Sequence, residues 1–283
     1  MTMLRERITR RLNDSVSPHP HSSRPRSYTS SHSPIRKTRP RTQRLRRSRR
    51  KQLSPSPSPT QPYLSLTYED VKALKHDWLT DNNIAFWEEF LEREVLSTYP
   101  QAHIVLLRPS MTFLLMKNKD TEMVRSALPD FRQITHIFLP VNDNRNVSQA
   151  EGGSHWSLLL VSIIDGVAFH YDSMEGSNNT EAWEASKRLA SVLNKNLRFH
   201  VLPDSPQQEN GSDCGVFVCI IMRHLLVKRL LSVNAGEKIS MSMAHKAIDS
   251  IGARKEMVKI IENLRKEAER RRLTPSGTPP RIE

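Results

Sequence analysis

From Tyr63 onward, the pattern of hydrophobic and polar residues alternates between helical and strand periodicity, which is typical of an α+β domain. Helical patterns, several of them opened by a capping residue or a proline, occupy residues 67–75, 82–97, 109 onward, 121–127, 180–194, 214–232 and 241–272. Strand patterns occupy residues 104–107, 134–141, 155–164, 167–171 and 198–202. Asp165-Gly166 joins two of these strands and is a strong hairpin signal, so we expect those two to be antiparallel neighbours.

The helical pattern at 214–232 is apolar nearly all round, which predicts a buried, rigid helix. Cys214 opens this helix, directly after the polar loop at 207–213. A helix N-terminus carries partial positive charge and free N–H groups, and both favour the nucleophilic thiolate over the thiol. Cys214 is therefore either a packing residue, as many buried cysteines are, or a nucleophile. We interpret Cys219, on the same helix, as packing.

The predicted hairpin supplies partners for such a thiol. A thiolate nucleophile needs a base, a group that orients the base, and a donor for the oxyanion. His155 begins one strand after a glycine-rich stretch, and Asp172 follows the end of the next strand. In an antiparallel hairpin these two ends lie at the same edge of the sheet, so we expect the two side chains to meet. His170 is a competing base, but it shares a face with Asp172 on the same strand and lacks the glycine-rich lead-in.

Charge divides the chain into a basic segment and a nearly neutral domain. Residues 1–62 contain 16 Lys/Arg and two Asp/Glu, whereas the rest contains 27 and 28. The segment is rich in Arg, Ser and Pro and cannot bury enough apolar surface to offset its ordering entropy, so we predict disorder for 1–62 and for the tail at 273–283. The folded domain is predicted at 63–272, and its near-neutral charge argues against a nucleic-acid-binding domain.

The dense basic run at 44–51 has several interpretations. It is a solvated tail, a nuclear import signal that binds an import receptor, or an electrostatic arm for nucleic acid. The Arg-rich, acid-poor start of the chain also allows a mitochondrial transit peptide. We expect the protein in the nucleus, the cytoplasm or both.

Several classes of function find no support in the sequence. Two cysteines cannot form a disulfide framework, and no cysteine and histidine spacing matches a zinc site. No apolar run reaches the roughly 18 residues of a membrane span. The first residues are Arg-rich and without an apolar stretch, so they do not resemble a secretory signal. We therefore expect no metal, no cofactor and no membrane partner, and a monomer.

Three motifs, in order, resemble the ubiquitin-like-protein-specific cysteine proteases, the family of the SUMO proteases and the deneddylase, which is related to the adenovirus protease. They are Gly-Gly-Ser-His-Trp-Ser-Leu-Leu at 152–159, Phe-His-Tyr-Asp-Ser at 169–173, and Gln-Gln-Glu-Asn-Gly-Ser-Asp-Cys-Gly-Val-Phe-Val at 207–218. The resemblance covers about residues 63–262. It implies a papain-like architecture of the adenovirus-protease type, in which a central helix carrying the cysteine packs on a mixed, largely antiparallel sheet.

The resemblance also implies catalytic roles. Cys214 would be the nucleophile, His155 the general base and later the acid, and Asp172 the group that orients the imidazole. Gln208, six residues before the cysteine, matches the family's oxyanion glutamine and would act with the backbone N–H of Cys214. Gln207 is the adjacent alternative.

Two tryptophans match those that cover the substrate's Gly-Gly tail in this family. They are Trp156 and Trp78, the latter in Trp-Leu-Thr-Asp where the family pattern has Trp-Leu-Asn-Asp. Two flat indoles close on a backbone only where side chains are absent, which selects Gly-Gly; each tryptophan is otherwise ordinary core packing. Asp81 is predicted to pair with a basic residue of the modifier, a role that is compatible with capping the next helix.

The Asn-rich loop at 142–146, the Gly-Gly before His155, and Ser157 look most like the deneddylase branch, as does the His-Tyr-Asp-Ser run. We therefore expect a thiol peptidase or isopeptidase that cleaves after the C-terminal Gly-Gly of the Nedd/Rub modifier, in deneddylation, precursor processing or both. A SUMO-specific protease is the alternative. A catalytically inactive modifier-binding protein and an acetyltransferase on the same fold are further alternatives.

Overall fold

The computed structural model describes residues 63–148, 152–232 and 238–273. Its helices are α1 (Tyr68–His76), α2 (Asp81–Glu94), α3 (Pro109–Lys117), α4 (Thr121–Ala127), α5 (Asn179–Leu193), α6 (Cys214–Leu225) and α7 (Ser250–Leu273). Its strands are β1 (Ile104–Leu106), β2 (His136–Asn142), β3 (Trp156–Ser162), β4 (Val167–Tyr171) and β5 (Arg198–Val201). The predicted disordered tails lie outside the described residues, apart from Leu273 at the end of α7.

The five strands form one mixed sheet in the order β1-β2-β3-β4-β5. The central pairs β2/β3 and β3/β4 are antiparallel, the second of them as the hairpin signal predicts, and Gly166 adopts a φ of +64° in the connection between β3 and β4. The edge pairs β1/β2 and β4/β5 are parallel, because α3 and α4 in one case and α5 in the other carry the chain back across the sheet. The predicted α+β class with a mixed sheet is confirmed.

Both faces of the central strands are buried, which explains their nearly continuous apolar sequence. One face, with Leu158 and Leu160 of β3, packs in a single core cluster with α6. The other face, with Leu159 and Val161, packs in a second cluster with α5. The helix that begins at Cys214 therefore lies on a rigid layer, and its first residue stands at the edge where β3 begins and β4 ends.

The helix predicted at 241–272 is shorter in the structure and begins at Ser250. Asp249 ends the preceding segment and accepts a hydrogen bond from the N–H of Gly252 (2.8 Å), as an N-cap does. Residues before it are held by other contacts: Met243 is buried in the core, and the carbonyl of Met241 accepts the Tyr171 hydroxyl (2.8 Å). Across the described ranges, no helix has the length and apolarity of a membrane span.

Candidate active site

The hairpin brings His155 and Asp172 into direct contact. Their side chains are almost fully buried, and His155 Nε2 lies 2.6 Å from Asp172 Oδ1. Burial alone would raise the pKa of Asp172, but donors from His155 and from the backbone N–H groups of Asn178 (2.9 Å) and Met174 (3.0 Å) lower it. Asp172 is therefore a carboxylate that accepts the Nε2–H of the imidazole, which leaves Nδ1 as the reactive ring nitrogen.

Nδ1 of His155 faces the thiol of Cys214 at the start of α6. It is buried and makes no hydrogen bond of regular geometry within the described part of the chain, so its contact with the thiol is loose. Such contacts are often loose in free enzymes and tighten when substrate binds. Burial lowers the pKa of His155, but the interactions with Asp172 and Cys214 outweigh it and raise this pKa to about 9. The imidazole is thus positively charged at neutral pH, beside a reduced cysteine.

The glycine-rich lead-in to His155 is fixed by Asp143, which the sequence analysis did not identify. The Asp143 carboxylate accepts the backbone N–H groups of Ser154 (2.6 Å) and His155 (3.0 Å). Gly153 adopts a φ of +86°, and a Cβ there would lie 2.1 Å from Asn142 Oδ1, so a side chain would displace this turn. The β2/β3 register pairs Asn142 with Trp156, so one residue further Asp143 stands opposite His155, and the sequence alone does not supply this register.

A second supporting residue, Asn178, lies fully buried behind the pair. Its side-chain amide donates to the carbonyls of His155 (3.3 Å) and Val141 (3.2 Å), while its backbone N–H binds Asp172. One residue thereby holds the strand that carries the imidazole against the loop that carries the carboxylate. No motif or spacing in the sequence indicated it.

His170 does not compete with His155 for the role of base. It is fully buried, with Nε2 2.9 Å from Ser157 Oγ and Nδ1 3.1 Å from Asn179 Oδ1. Burial lowers its pKa to about 4, so the ring is neutral. Both nitrogens are occupied away from the thiol. Cys219 is likewise buried, and burial raises its pKa well above the usual value, in agreement with a packing role.

The two glutamines before the cysteine have different surroundings. The Gln207 amide nitrogen donates to the carbonyls of Asp172 and Ser205 (both 2.9 Å), so this side chain braces the loop after β4. Gln208 accepts the Ser173 hydroxyl (2.7 Å) and donates to the Asn210 carbonyl (2.6 Å) in the loop that leads to Cys214.

Of the two, Gln208 is the better candidate for an oxyanion donor, because the Gln207 amide nitrogen already donates to two carbonyls whereas that of Gln208 donates to one. The backbone N–H of Cys214 is at the first position of α6, where N–H groups have no partner within the helix. An oxygen between these two donors would be bound from two sides.

Of the predicted substrate-binding residues, Trp78 and Asp81 lie in the turn at 78–81 and Trp156 lies beneath it. Trp156 is buried beneath this turn and its Nε1 donates to the Leu79 carbonyl (3.1 Å), whereas Trp78 is 47% exposed. Asp81 is the first residue of α2, and the cap is Thr80, whose hydroxyl accepts the N–H of Asn83. The suggestion that Asp81 caps this helix is therefore wrong. Asp81 instead lines, with Trp156, a small cleft of about 150 Å³.

This arrangement is suited to nucleophilic attack by sulfur on an acyl group. It provides a thiol at a helix N-terminus and an imidazolium oriented by a carboxylate, with Gln208 in the loop that leads to the thiol. In the part of the chain that the structure describes, no group of three His, Cys, Asp or Glu side chains could hold a metal ion.

Known proteins share this sequence pattern. Residues 77–257 match the family described as "Ulp1 protease family, C-terminal catalytic domain". NEDD8-specific protease 2 of Schizosaccharomyces pombe is 37% identical over 211 residues, which cover 70% of this chain and 50% of that protein. NEDD8-specific protease 1 of Arabidopsis thaliana is 35% identical over 169 residues, which cover 56% of this chain and 73% of that protein. The chain thus spans about half the length of the S. pombe relative.

A solved structure also shares the fold. The C-terminal Ulp1 protease domain, in complex with Smt3, the yeast ortholog of SUMO, matches with a TM-score of 0.51 and 20% identity. The match covers 71% of this chain and 85% of that chain. At this identity, the likeness concerns the arrangement of helices and strands.

Proposed function

The chain belongs to the Ulp1 protease family, and we propose on this basis that it cleaves the bond after the C-terminal Gly-Gly of a ubiquitin-like modifier. The observation that carries the proposal is the His155 imidazole, which is hydrogen-bonded to Asp172 at 2.6 Å and faces the Cys214 thiol. A packing cysteine requires no such partner.

In the proposed reaction, the Cys214 thiolate attacks the carbonyl carbon of the terminal glycine. The oxyanion that forms is bound by the backbone N–H of Cys214 and the amide of Gln208. The His155 imidazolium then gives its Nδ1 proton to the leaving amine, and the C–N bond breaks to leave a thioester. Water attacks the thioester while His155 takes a proton from it, which releases the modifier carboxylate and restores the thiolate.

We attribute selectivity for Gly-Gly to the two indoles at the turn at 78–81, Trp78 and Trp156. Trp78 is half exposed, and Trp156 packs directly beneath the turn with Nε1 3.1 Å from the Leu79 carbonyl. In the proposal, an extended chain without side chains lies against these rings where a larger residue would clash. Asp81 lines the neighbouring cleft, and we propose that it meets a basic side chain of the modifier there.

We favour NEDD8, the Nedd/Rub modifier, as the substrate. Relatives at 35–38% identity are named NEDD8-specific proteases, and the Gly-Gly and Ser157 around His155 look like that branch. Ubiquitin-like-specific protease 1 of Saccharomyces cerevisiae is less similar, at 22% identity.

The test is hydrolysis of fluorogenic C-terminal amides of NEDD8, SUMO and ubiquitin by the whole chain, with Cys214→Ala as the control. We expect kcat/KM for NEDD8 to exceed those for SUMO and ubiquitin by at least about tenfold, or about 1.4 kcal/mol of selectivity. Equal rates on NEDD8 and SUMO would contradict the modifier assignment. Cleavage that persists in Cys214→Ala would contradict the mechanism.

The basic run at 44–51 is proposed to act in nuclear import, because clustered Lys and Arg bind acidic receptor surfaces. Imaging the protein with and without residues 1–62 tests this: nuclear signal that falls on deletion supports it, and an unchanged distribution contradicts it.

A further inference from the structure

A single buried guanidinium joins α7 to the loop that precedes the nucleophile. Arg254 of α7 is 6% exposed, and its Nη2 and Nε lie 2.7 and 2.9 Å from Asp213 Oδ1. Nη2 also donates to the carbonyl of Ser212 (3.0 Å). Nη1 donates to the carbonyls of Leu74 (3.0 Å) and Ala73 (3.2 Å) near the end of α1. All three guanidinium nitrogens are therefore used, and the turn that carries Trp78 begins just beyond the same α1 carbonyls.

The contacts continue from Asp213 to the oxyanion glutamine. Asp213 Oδ2 accepts the side-chain amide of Asn210 (2.9 Å), and Asn210 Oδ1 accepts the N–H groups of Ser212 and Asp213 (both 3.0 Å). The backbone carbonyl of Asn210 accepts the Gln208 amide (2.6 Å). An unbroken chain of hydrogen bonds thus runs from Arg254 to Gln208.

The charge of Arg254 also matters, because an acidic residue directly precedes Cys214. Burial would raise the pKa of Asp213, but hydrogen bonds from Ser250, Arg254 and Asn210 lower it, so the residue is a carboxylate. A negative charge at this point opposes formation of a thiolate on the next residue, and the guanidinium cancels it. The charged and titratable side chains that act on the first turns of α6 come from several elements: His155 and Asp172 at the sheet, Asp213 at the cap, Arg254 from α7, and Glu88 of α2 and Arg223 of α6 near Cys219.

We propose that Arg254 is a positioning residue for the nucleophile. It neutralises Asp213 beside the thiolate, and its forked contacts hold the Asn210–Asp213 loop so that Gln208 and the first turn of α6 keep their relative positions. Its effect on turnover rests on the proposed peptidase function, whereas its effect on the thiol does not.

Three variants separate the charge from the fork. Arg254→Met removes both, Arg254→Lys keeps the charge but cannot form the fork, and Arg254→Met with Asp213→Asn removes both members of the pair. Because an unpaired buried Asp213 can prevent folding, thermal unfolding is measured for each variant, and the Lys and double variants keep the test available. Glu256→Gln is the matched control, since it breaks another ion pair between α6 and α7, Arg223–Glu256 at 2.8 Å.

The first measurement is the rate of iodoacetamide alkylation at Cys214 between pH 5 and 8, assigned to this residue by peptide mass. It needs no modifier. We expect Arg254→Met to lower the rate by about tenfold on the rising, acidic limb of the profile, where the thiolate is partly formed, as expected for one uncancelled charge nearby. The double variant and Arg254→Lys should recover the original profile. Alkylation rates in Arg254→Met that equal those of the original chain would overturn the charge role. So would a double variant that folds but does not recover the original rates.

The second measurement is hydrolysis of the NEDD8 amide. We expect Arg254→Lys to lower kcat by at least about tenfold with KM changed less than threefold, because the loop is loosened while the modifier still binds. An equal loss in Glu256→Gln would show general loosening of α7 and overturn the positioning role. A different result would separate the two proposals. If neither the original chain nor any variant cleaves the substrate, while the alkylation rates change as expected, the peptidase proposal fails and the charge role of Arg254 stands.

Discussion

At the scale of single residues, protonation states in this site are set by immediate neighbours. Asp172 is kept ionised by three N–H donors, and its carboxylate together with Cys214 keeps His155 protonated to about pH 9. His170, only two positions from Asp172, is neutral because burial dominates. The two histidines have the same chemistry in isolation, so the difference in their roles comes from the partners that the hairpin provides.

A pH profile follows from the raised pKa of His155. The imidazolium must donate a proton to the leaving amine, so activity is retained while the ring is protonated and is lost as pH rises through the folded-state pKa. We predict an alkaline limb of kcat/KM near pH 9. Asp172→Asn removes the carboxylate that raises this pKa, so its alkaline limb should move to lower pH, along with a lower maximum. An unmoved limb in Asp172→Asn would assign that limb to another group.

The oxyanion assignment predicts different outcomes for neighbouring glutamines. Gln208→Ala should lower kcat by about 10²–10³ with little change in KM, because the donor acts on charge that develops in the transition state. Gln207→Ala is the matched comparison, since that amide braces the loop after β4 and faces no reacting atom; it should mainly lower the unfolding midpoint. A loss under tenfold in Gln208→Ala would transfer the oxyanion role elsewhere.

At the scale of helices and strands, the sequence predicts most elements well because their local signals agree with their packing. The capping box at Thr67 and Asp70, the proline at the start of α3 and the hairpin glycine each mark an observed boundary. The early start predicted for α7 fails because Met243 is recruited into the core, a tertiary contact that leaves no local signal. The mixed, largely antiparallel sheet was expected, but the strand patterns did not say which pairs are parallel, because they do not encode direction.

The same distinction applies to the candidate site. His155, Asp172, Gln208 and Cys214 lie in motifs that a reader of the sequence can find, and the hairpin explains how two of them meet. Asn178 and Arg254 act through contacts between distant segments, with sequence separations of 23 from His155 and 41 from Asp213. The sequence around each of these two residues contains no motif that predicts such contacts, so they are identified only in the folded structure.

A further prediction concerns how closely α6 approaches the turn at 78–81. A Cβ at Gly215 would lie 2.7 Å from Leu79 Cβ, so Gly215→Ala should push the start of α6 away from the turn that carries Trp78. We expect a loss of about 1–3 kcal/mol in unfolding free energy together with a clear fall in activity. Gly211→Ala is the control, because a Cβ there meets nothing within 4 Å. Equal effects of the two substitutions on denaturant unfolding would contradict close packing at Gly215.

At the scale of the whole molecule, charge and structure separate along the chain. Of the net charge of +13, residues 1–62 contribute +14 (16 Lys/Arg and two Asp/Glu), while the rest of the chain, which holds the site, contributes −1 (27 and 28). The site depends on contacts among α1, α2, α6, α7 and the sheet, and all of these lie after residue 62. The domain predicted at 63–272 should therefore contain everything that the reaction needs.

Truncation tests this division. A fragment of residues 63–273 should cleave the NEDD8 amide with kcat/KM within about threefold of the whole chain at 0.15 M salt, because long-range attraction from the basic segment is largely screened. Measuring both proteins at 0.05 M salt shows whether the segment accelerates association. Loss of hydrolysis by a folded fragment would assign residues 1–62 a part in catalysis and contradict the domain boundary.

The central claim is that Cys214 forms the acyl intermediate, and covalent capture tests it most directly. NEDD8 with a C-terminal electrophile in place of its terminal carboxylate is incubated with the whole chain, and the linked residue is identified by peptide mass. We expect one modifier per chain, attached to Cys214, with no product in Cys214→Ala and slower capture in His155→Ala. Attachment at Cys219, or undiminished capture in Cys214→Ala, would contradict it.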